Sequence, residues 1–204
     1  MVGTPLSFET LTGGALRGEL TALAQLRTLI FRAWPYLYDG QDDDERRYLA
    51  TYAQSPGATA VVARDADRIV GAATCLPMAE AAAAFRAPFV ARGIDAARIG
   101  YFGESVLLPE YRGQGAGVRF FEMREAHARS LDLSVAAFCA VVRNEGDPRR
   151  PKDYVPLDAF WRHRGFTRRP DLSCVFPWKE VGDDRETPHS LSFWLKALDG
   201  AALP

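Results

Sequence analysis

Residues 98–122, RIGYFGESVLLPEYRGQGAGVRFFE, constrain the fold more than any other stretch of the chain. An apolar run of strand character, Arg98 to Leu108, leads into a loop carrying Gly113, Gly115 and Gly117. That loop opens into an amphipathic segment, Gly115 to Ser130, with Phe120, Phe121, Met123 and Ala126 as its apolar stripe. Three glycines in five positions lower helix propensity and raise the entropy lost on folding. A special turn, or a close approach of backbone to a partner, must offset that cost.

Three readings of the loop compete. A dinucleotide fingerprint needs G-x-G-x-x-G, and Val118 stands where the last glycine would be. No G-x-x-x-x-G-K-[ST] sequence is present either. A tight strand-to-helix turn without a ligand stays open. The third reading is an anion site: at a helix N-terminus, free N–H groups and the helix dipole favour negative charge. Missing side chains there would let a pyrophosphate approach the backbone, with Arg112 as a cation at the rim.

The rest of the chain alternates elements in a way that fits one α/β domain over residues 1–204. LSFETL (Leu6 to Leu11) reads as a short strand. Leu16, Leu20, Leu23, Leu26, Ile30 and Trp34 recur at helical spacing until WPYLYDG stops them. Asp42 and Glu45, three apart, resemble a helix start, and ERRYLATYA continues to the break at Ser55-Pro56-Gly57. ATAVVAR and RIVGAATCL flank a polar turn and predict a hairpin. MAEAAAAFRAPFVARG reads as helical until Pro88 interrupts it. SVAAFCAVV is a buried strand by its unbroken apolar run. LDAFWRHRGF is a short helix closed by Gly165, and LSCVFPWK and HSLSFWLKAL are two late strands across an acidic turn. No repeat or long linker divides the chain.

Composition excludes several function classes. With 48% hydrophobic and 25% charged residues the chain has ordinary core-forming material. A net charge of −1 offers no basic field for nucleic acid, and RRPK and RHRGFTRR read as solvated faces. The N-terminus lacks a basic start followed by an apolar run, and no segment approaches the ~18 apolar residues of a membrane helix. Cys75, Cys139 and Cys174 are odd in number, widely spaced and without a CxxC pair, which argues for reduced thiols, no zinc site and the cytoplasm as compartment. DGQDDDE lacks a glycine at the central turn position of a calcium loop, where Asp44 stands. Helix capping accounts for its acids, and no metal is expected.

Arg112-x-x-Gly115-x-Gly117, after a strand ending VLLPEY, resembles the pyrophosphate loop of the GNAT (GCN5-related N-acetyltransferase) superfamily. FWRHRGF resembles that family's aromatic-rich helix ending in Gly-Phe, here Gly165-Phe166. The resemblance covers roughly Leu6 to Leu195. It implies an α/β (α+β) fold with a mixed, mostly antiparallel central sheet flanked by helices and splayed at the acyl-CoA site. It also implies acetyl-CoA as acyl donor and an amine as acceptor. Val106, Leu107 and Leu108 would pair with the pantetheine arm, a backbone N–H near Leu107 or Leu108 serving as oxyanion donor. Arg112, Gly113, Gln114, Gly115, Ala116 and Gly117 would hold the pyrophosphate, and Asn144 would contact the coenzyme.

Two departures from the family pattern stand out. The insertion Pro77 to Ala97 lies where a short hairpin turn is usual; Phe85, Phe89 and Val90 are expected to cover a pocket wall, with a surface helix or a homodimer contact as the alternative. Trp161 takes the place of a tyrosine that can protonate the leaving thiolate. Tyr154 is the substitute donor, with Tyr101 and Cys139 as weaker candidates, although Cys139 reads first as a core thiol. His127 and His163 read as surface residues.

Glu104, in YFGESVLL, resembles the glutamate base of some GNAT enzymes. Burial would raise its pKa toward the working pH, and a structural glutamate is the alternative. Trp34, Tyr36 and Tyr38, with Asp39 and Asp42 to Asp44, would line the acceptor entrance and favour a cation, or equally form a staple and a solvated helix start. The expectation is an acyl-CoA-dependent N-acyltransferase moving an acetyl group to a primary amine of a small molecule or peptide. A non-catalytic acyl-CoA sensor is the alternative; it needs neither a buried Glu104 nor an open acceptor pocket.

Overall fold

A computed structural model describes residues 5–200 and 203–204; the first four residues of the N-terminal stretch read above lie outside the described residues. Strand β1 (Ser7–Leu11) precedes helices α1 (Gly13–Phe31) and α2 (Asp42–Gln54) and the hairpin β2 (Thr59–Asp65) and β3 (Arg68–Pro77). Helix α3 (Ala83–Val90) comes next, then β4 (Ile99–Tyr101), β5 (Ser105–Leu107) and α4 (Ala116–Ser130). Strand β6 (Val135–Val141), helix α5 (Asp158–His163) and strands β7 (Thr167–Trp178) and β8 (Thr187–Ala197) complete the fold.

The strands form one sheet in the order β1-β2-β3-β4-β6-β8-β7, with β5 pairing β3 beside that path. Every pairing is antiparallel except β4 with β6. Residues 59–63 of β2 and 70–76 of β3 are buried without alternation, so both faces of the sheet are covered there, and α1 and α4 both lie against these strands. Phe102, Phe121, Phe138, Phe166 and Trp194 make a second cluster, with Arg124 stacked on two of its rings.

The strand predicted over 98–108 is interrupted. β4 remains with β6, β5 remains with β3, and residues 102–104 belong to neither strand. The Phe102 amide still donates to Ala137 O at 2.8 Å, but from Phe138 onward β6 pairs only with β8. The sheet therefore splits into a wedge. Periodicity alone does not show the break, because Glu104 and Gly103 make contacts with other segments.

The insertion at 77–97 holds α3 between two short 3₁₀ turns. Pro88 does not end this helix; it sits in the second turn, forfeits one N–H bond, and the helix closes two residues later. Phe85 is buried between Tyr101 and Phe176, with centroids 5.0 and 5.1 Å away. Phe89 is fully buried edge-on to Phe193, so it extends the main core instead of covering a pocket. Val90 points to solvent. Of the three expected wall residues only Phe85 lines the cavity described next.

Candidate active site

Glu104 stands at the point of the split and is 5% exposed. Its Oε2 meets Arg27 Nη1 at 2.7 Å and accepts a bond from the Tyr48 hydroxyl at 3.2 Å. Arg27 also pairs with Glu45, Nε to Oε2 at 2.5 Å. One buried guanidinium therefore serves two buried carboxylates. Phe31 and Tyr48 flank Arg27, 4.9 and 4.4 Å from its guanidinium carbon. Glu104 Oε1 is buried and has no hydrogen-bond partner.

These charges perturb one another. Burial raises the Glu104 pKa above the ordinary carboxylate value, partly countered by the Arg27 charge. Burial works to lower the Arg27 pKa, but Glu104, Tyr48 and Glu45 outweigh it and keep the guanidinium charged. Burial also raises the pKa of Tyr36, Tyr48, Tyr52 and Tyr101, so all four hydroxyls stay protonated near neutrality.

Backbone contacts fix Glu104 in place. Its N–H donates to Thr74 Oγ1 at 3.3 Å and its carbonyl accepts from the Thr74 amide at 3.1 Å. Arg124, on the helix after the glycine loop, donates to the same Glu104 carbonyl at 3.2 Å and to Thr74 O at 3.4 Å. Burial pulls the Arg124 pKa down to about 10, still high enough to hold its charge. A Cβ at Gly103 would lie 1.9 Å from the Tyr52 hydroxyl, so only glycine lets that residue approach the strand break.

The side of the wedge that leads to the glycine loop is built from backbone. Thr74 N to Glu104 O and Leu108 N to Val70 O mark the hydrogen-bonded pairs of β5 with β3. By ladder alternation, the amides of Ser105 and Leu107 face the open edge. The Leu108 amide donates to Val70 O at 2.9 Å and is not free to serve as an oxyanion donor, whereas the Leu107 amide is on the open edge. Arg112 donates to Leu107 O at 3.4 Å. Gly113 and Gly115 have φ of 78° and 85°, and a Cβ at either would meet nothing within 4 Å. The amides of residues 113–117 have no acceptor among the described residues, at the N-terminus of the 15-residue α4. Open space, unpaired N–H groups and a helix dipole together suit a pyrophosphate.

A cavity of about 730 Å³ opens on the other side of Glu104. A family model for the GNAT acetyltransferases matches residues 23–150, which contain Arg27, Glu104 and the whole glycine loop. The chain belongs to the GNAT acetyltransferase family. No curated protein matches it in sequence. Solved structures agree with the GNAT fold at low identity. One is yncA of Salmonella typhimurium, described as an acetyltransferase and solved with acetyl-CoA: 14% identical, TM-score 0.57, covering 98% of each chain. The ribosomal-protein-alanine N-acetyltransferase of Brucella melitensis is 15% identical with TM-score 0.59, over 94% of this chain and 99% of that one. An N-acetyltransferase of Staphylococcus aureus Mu50 is 12% identical with TM-score 0.61, over 96% and 100%.

Within this GNAT frame the expected site residues divide. Glu104, Tyr36 and Tyr38 line the cavity, as do Tyr101 and Cys139. Trp34 does not; it lies edge-on to Tyr154 at 6.1 Å, with Arg143 over its ring. Tyr154 is half-buried in the loop before α5 and is also outside the cavity lining, and burial raises its pKa. Asn144 Oδ1 accepts from the Gly146 amide at 2.9 Å and so shapes its own exposed turn. Gln114 Nε2 donates to Glu110 O, across the loop. Trp161 packs on Phe138 and Trp194. Cys139 interacts with Cys174, which with burial raises its pKa well above the usual thiol value and fits a core thiol.

Sequence reasoning missed Arg27, Glu45, Tyr48 and Arg124. A signal existed in the first helix: Leu23, Arg27 and Phe31 are four apart, which puts a cation in the buried stripe. Glu45, Tyr48, Leu49 and Tyr52 repeat the pattern on α2. The helix start read at Asp42 is where α2 begins, but helix capping does not account for Glu45. The N-cap of α2 is Gln41, it makes no side-chain cap bond, and Glu45 faces Arg27.

Proposed function

We propose that the whole chain works as one acyl-CoA-dependent N-acyltransferase, taking an acetyl group from acetyl-CoA to a primary amine. The observation that carries this is the buried Glu104 between the backbone-lined donor loop and a large cavity. Acetyl-CoA would supply an acyl group activated as a thioester, and the fit rests on the unpaired amides of residues 113–117. Arg112 and those amides would hold the pyrophosphate, and the open edge of β5 at Ser105 and Leu107 would hold the pantetheine arm; Val106 and Leu108, expected to share that role, turn their backbone groups to β3. The Leu107 amide, on that open edge, would stabilise the oxyanion.

Glu104 acts as the base, directly or through a water. It takes one proton from the incoming ammonium; the neutral amine nitrogen then bonds to the acyl carbon, the carbon–sulfur bond breaks, and the nitrogen's second proton leaves it to balance the one the thiolate takes up. A raised pKa suits a base that must take a proton near neutral pH. For the proton taken up by sulfur, Tyr154, beside Trp34 and outside the cavity lining, is the side-chain candidate. The cytoplasm, where acetyl-CoA is at hand, is the proposed compartment; no helix among the described residues is long and apolar enough to cross a membrane.

The sensor alternative is separated by one assay. Mixed with acetyl-CoA and an amine, the enzyme releases free thiol at a rate that depends on both. A sensor would bind acetyl-CoA and release no amine-dependent thiol.

A further inference from the structure

The wall opposite the donor loop has a composition of its own. Phe31, Phe85, Phe176 and Trp178 line the cavity with aromatic surface, joined by the rings of Tyr36, Tyr48 and Tyr101. Phe85 sits in a three-ring stack, 25° from the plane of Tyr101 and 16° from that of Phe176. Such a face accepts a flat apolar body and gives a polyhydroxylated or multiply charged one nothing to pair with.

Charge is confined to two places. At the closed end, Glu104 and Glu45 share Arg27, leaving one excess negative charge. The Arg27 charge is committed to the two glutamates through Nε and Nη1, and Phe31 and Tyr48 flank its guanidinium. Glu104 Oε1, in a side chain more than nine-tenths buried, is still unpartnered. The other lining charges are half-buried or exposed: Asp39 pairs with Arg32 and Lys179, Asp44 pairs with Arg47, and Asp184, Arg185 and Glu186 lie on an exposed turn.

We infer that the cavity takes a primary amine carried on an apolar, aromatic body, with its ammonium at Glu104 and its ring among Phe31, Phe85, Phe176 and Trp178. This rests on the acyltransferase reading for the fate of the amine, but the binding preference stands on the cavity alone. A polyamine needs carboxylates spaced along its length; beyond Glu104 and Glu45 the lining carboxylates, Asp39, Asp44, Asp184 and Glu186, are half-buried or exposed and mixed with Arg47, Lys179 and Arg185. An N-terminal peptide would bring backbone polar groups into the same stretch, where they would be desolvated without partners.

The test is an acceptor panel with the full-length protein: 2-phenylethylamine, ethanolamine, spermidine and an alanyl peptide, read by thiol release from acetyl-CoA. 2-Phenylethylamine should exceed each of the others in kcat/KM by on the order of 10- to 100-fold, the range expected for burying one ring. A polar amine, spermidine or the peptide turned over as well as the arylamine would overturn the assignment and leave the acyltransferase reading intact. In parallel, each amine, 2-phenylethanol and 3-phenylpropionate are tested for a melting shift without acetyl-CoA. The arylamine alone should raise Tm clearly; equal shifts from the neutral or anionic analogue contradict the role of Glu104. If no amine is acetylated, the acyltransferase reading fails, and this binding series still decides the pocket. Phe85→Ala, or Phe176→Ala if the first does not fold, should cut the aryl preference at least tenfold while the acetyl-CoA-induced shift survives. An unchanged preference in a folded variant would show that the rings do not select the acceptor.

Discussion

The two walls of the wedge are made by different means. At the wall of the glycine loop, residues 113–117 present backbone amides and two glycines in the left-handed region, while the Arg112 and Gln114 side chains bond to nearby carbonyls; nearly all of it lies in six consecutive positions. At the acceptor wall, Glu104 depends on Arg27 and Glu45 from two helices, Tyr48 from the second, Thr74 from β3 and Arg124 from α4. One wall is a local motif that a ligand completes. The other is a buried polar network completed almost wholly by the protein. Substitutions at the donor wall should act on ligand affinity, and those at the acceptor wall on chemistry and on stability.

The largest effect expected is on rate, from Glu104→Gln. Loss of a general base costs about 10²–10⁴-fold, so steady-state thiol release should fall by that factor while the acetyl-CoA-induced melting shift holds. Since burial raises the Glu104 pKa, the wild-type carboxylate that can accept a proton fills only above that raised value. The kcat/KM profile should climb with pH through it, and the limb should vanish in Glu104→Gln. A loss below about threefold would make Glu104 structural.

Arg27→Met comes next. It leaves Glu45 and Glu104 buried without a counter-charge, and breaking a buried pair this way costs about 3–5 kcal/mol. Chemical denaturation should show that loss. In the folded fraction the alkaline limb should move to higher pH, because the charge that lowers the Glu104 pKa is gone. An unmoved limb would mean that Arg27 does not set the basicity of Glu104. The smallest effect is Tyr48→Phe, which removes a hydroxyl shared between Glu104 and Tyr52. One net hydrogen bond is worth about 1 kcal/mol, so stability should drop by about that much, without the loss of the pH limb. A vanished limb would place Tyr48 in the proton transfer.

The same contrast explains what the sequence disclosed. The glycine loop was legible because its chemistry is contiguous: spacing, missing side chains and the helix that follows are all visible in one stretch. Glu104 was legible as a carboxylate in an apolar strand. Its partners were not, because Arg27 is 77 residues away in a helix whose leucine stripe dominates the pattern. The strand break at 102–104 has the same origin, since Tyr52 and Arg124 reach it only in the folded chain. Phe89 was assigned to a pocket because an apolar residue of a helix carries no mark of which neighbour it will meet; Phe193 proves to be that neighbour.

The most direct test is the acetyl-CoA-induced melting shift measured side by side in wild type, Gly115→Ala, Gly115→Glu and Glu104→Gln. At acetyl-CoA about 100 times its dissociation constant, stabilisation is about 2.7 kcal/mol, roughly 5–10 °C for a chain of this size. Gly115→Ala imposes the left-handed strain without charge and should lower Tm while keeping a shift. Gly115→Glu adds a carboxylate where the pyrophosphate is expected and should abolish the shift, whereas Glu104→Gln should keep it and lose the rate. A full shift in Gly115→Glu would contradict donor binding at the glycine loop.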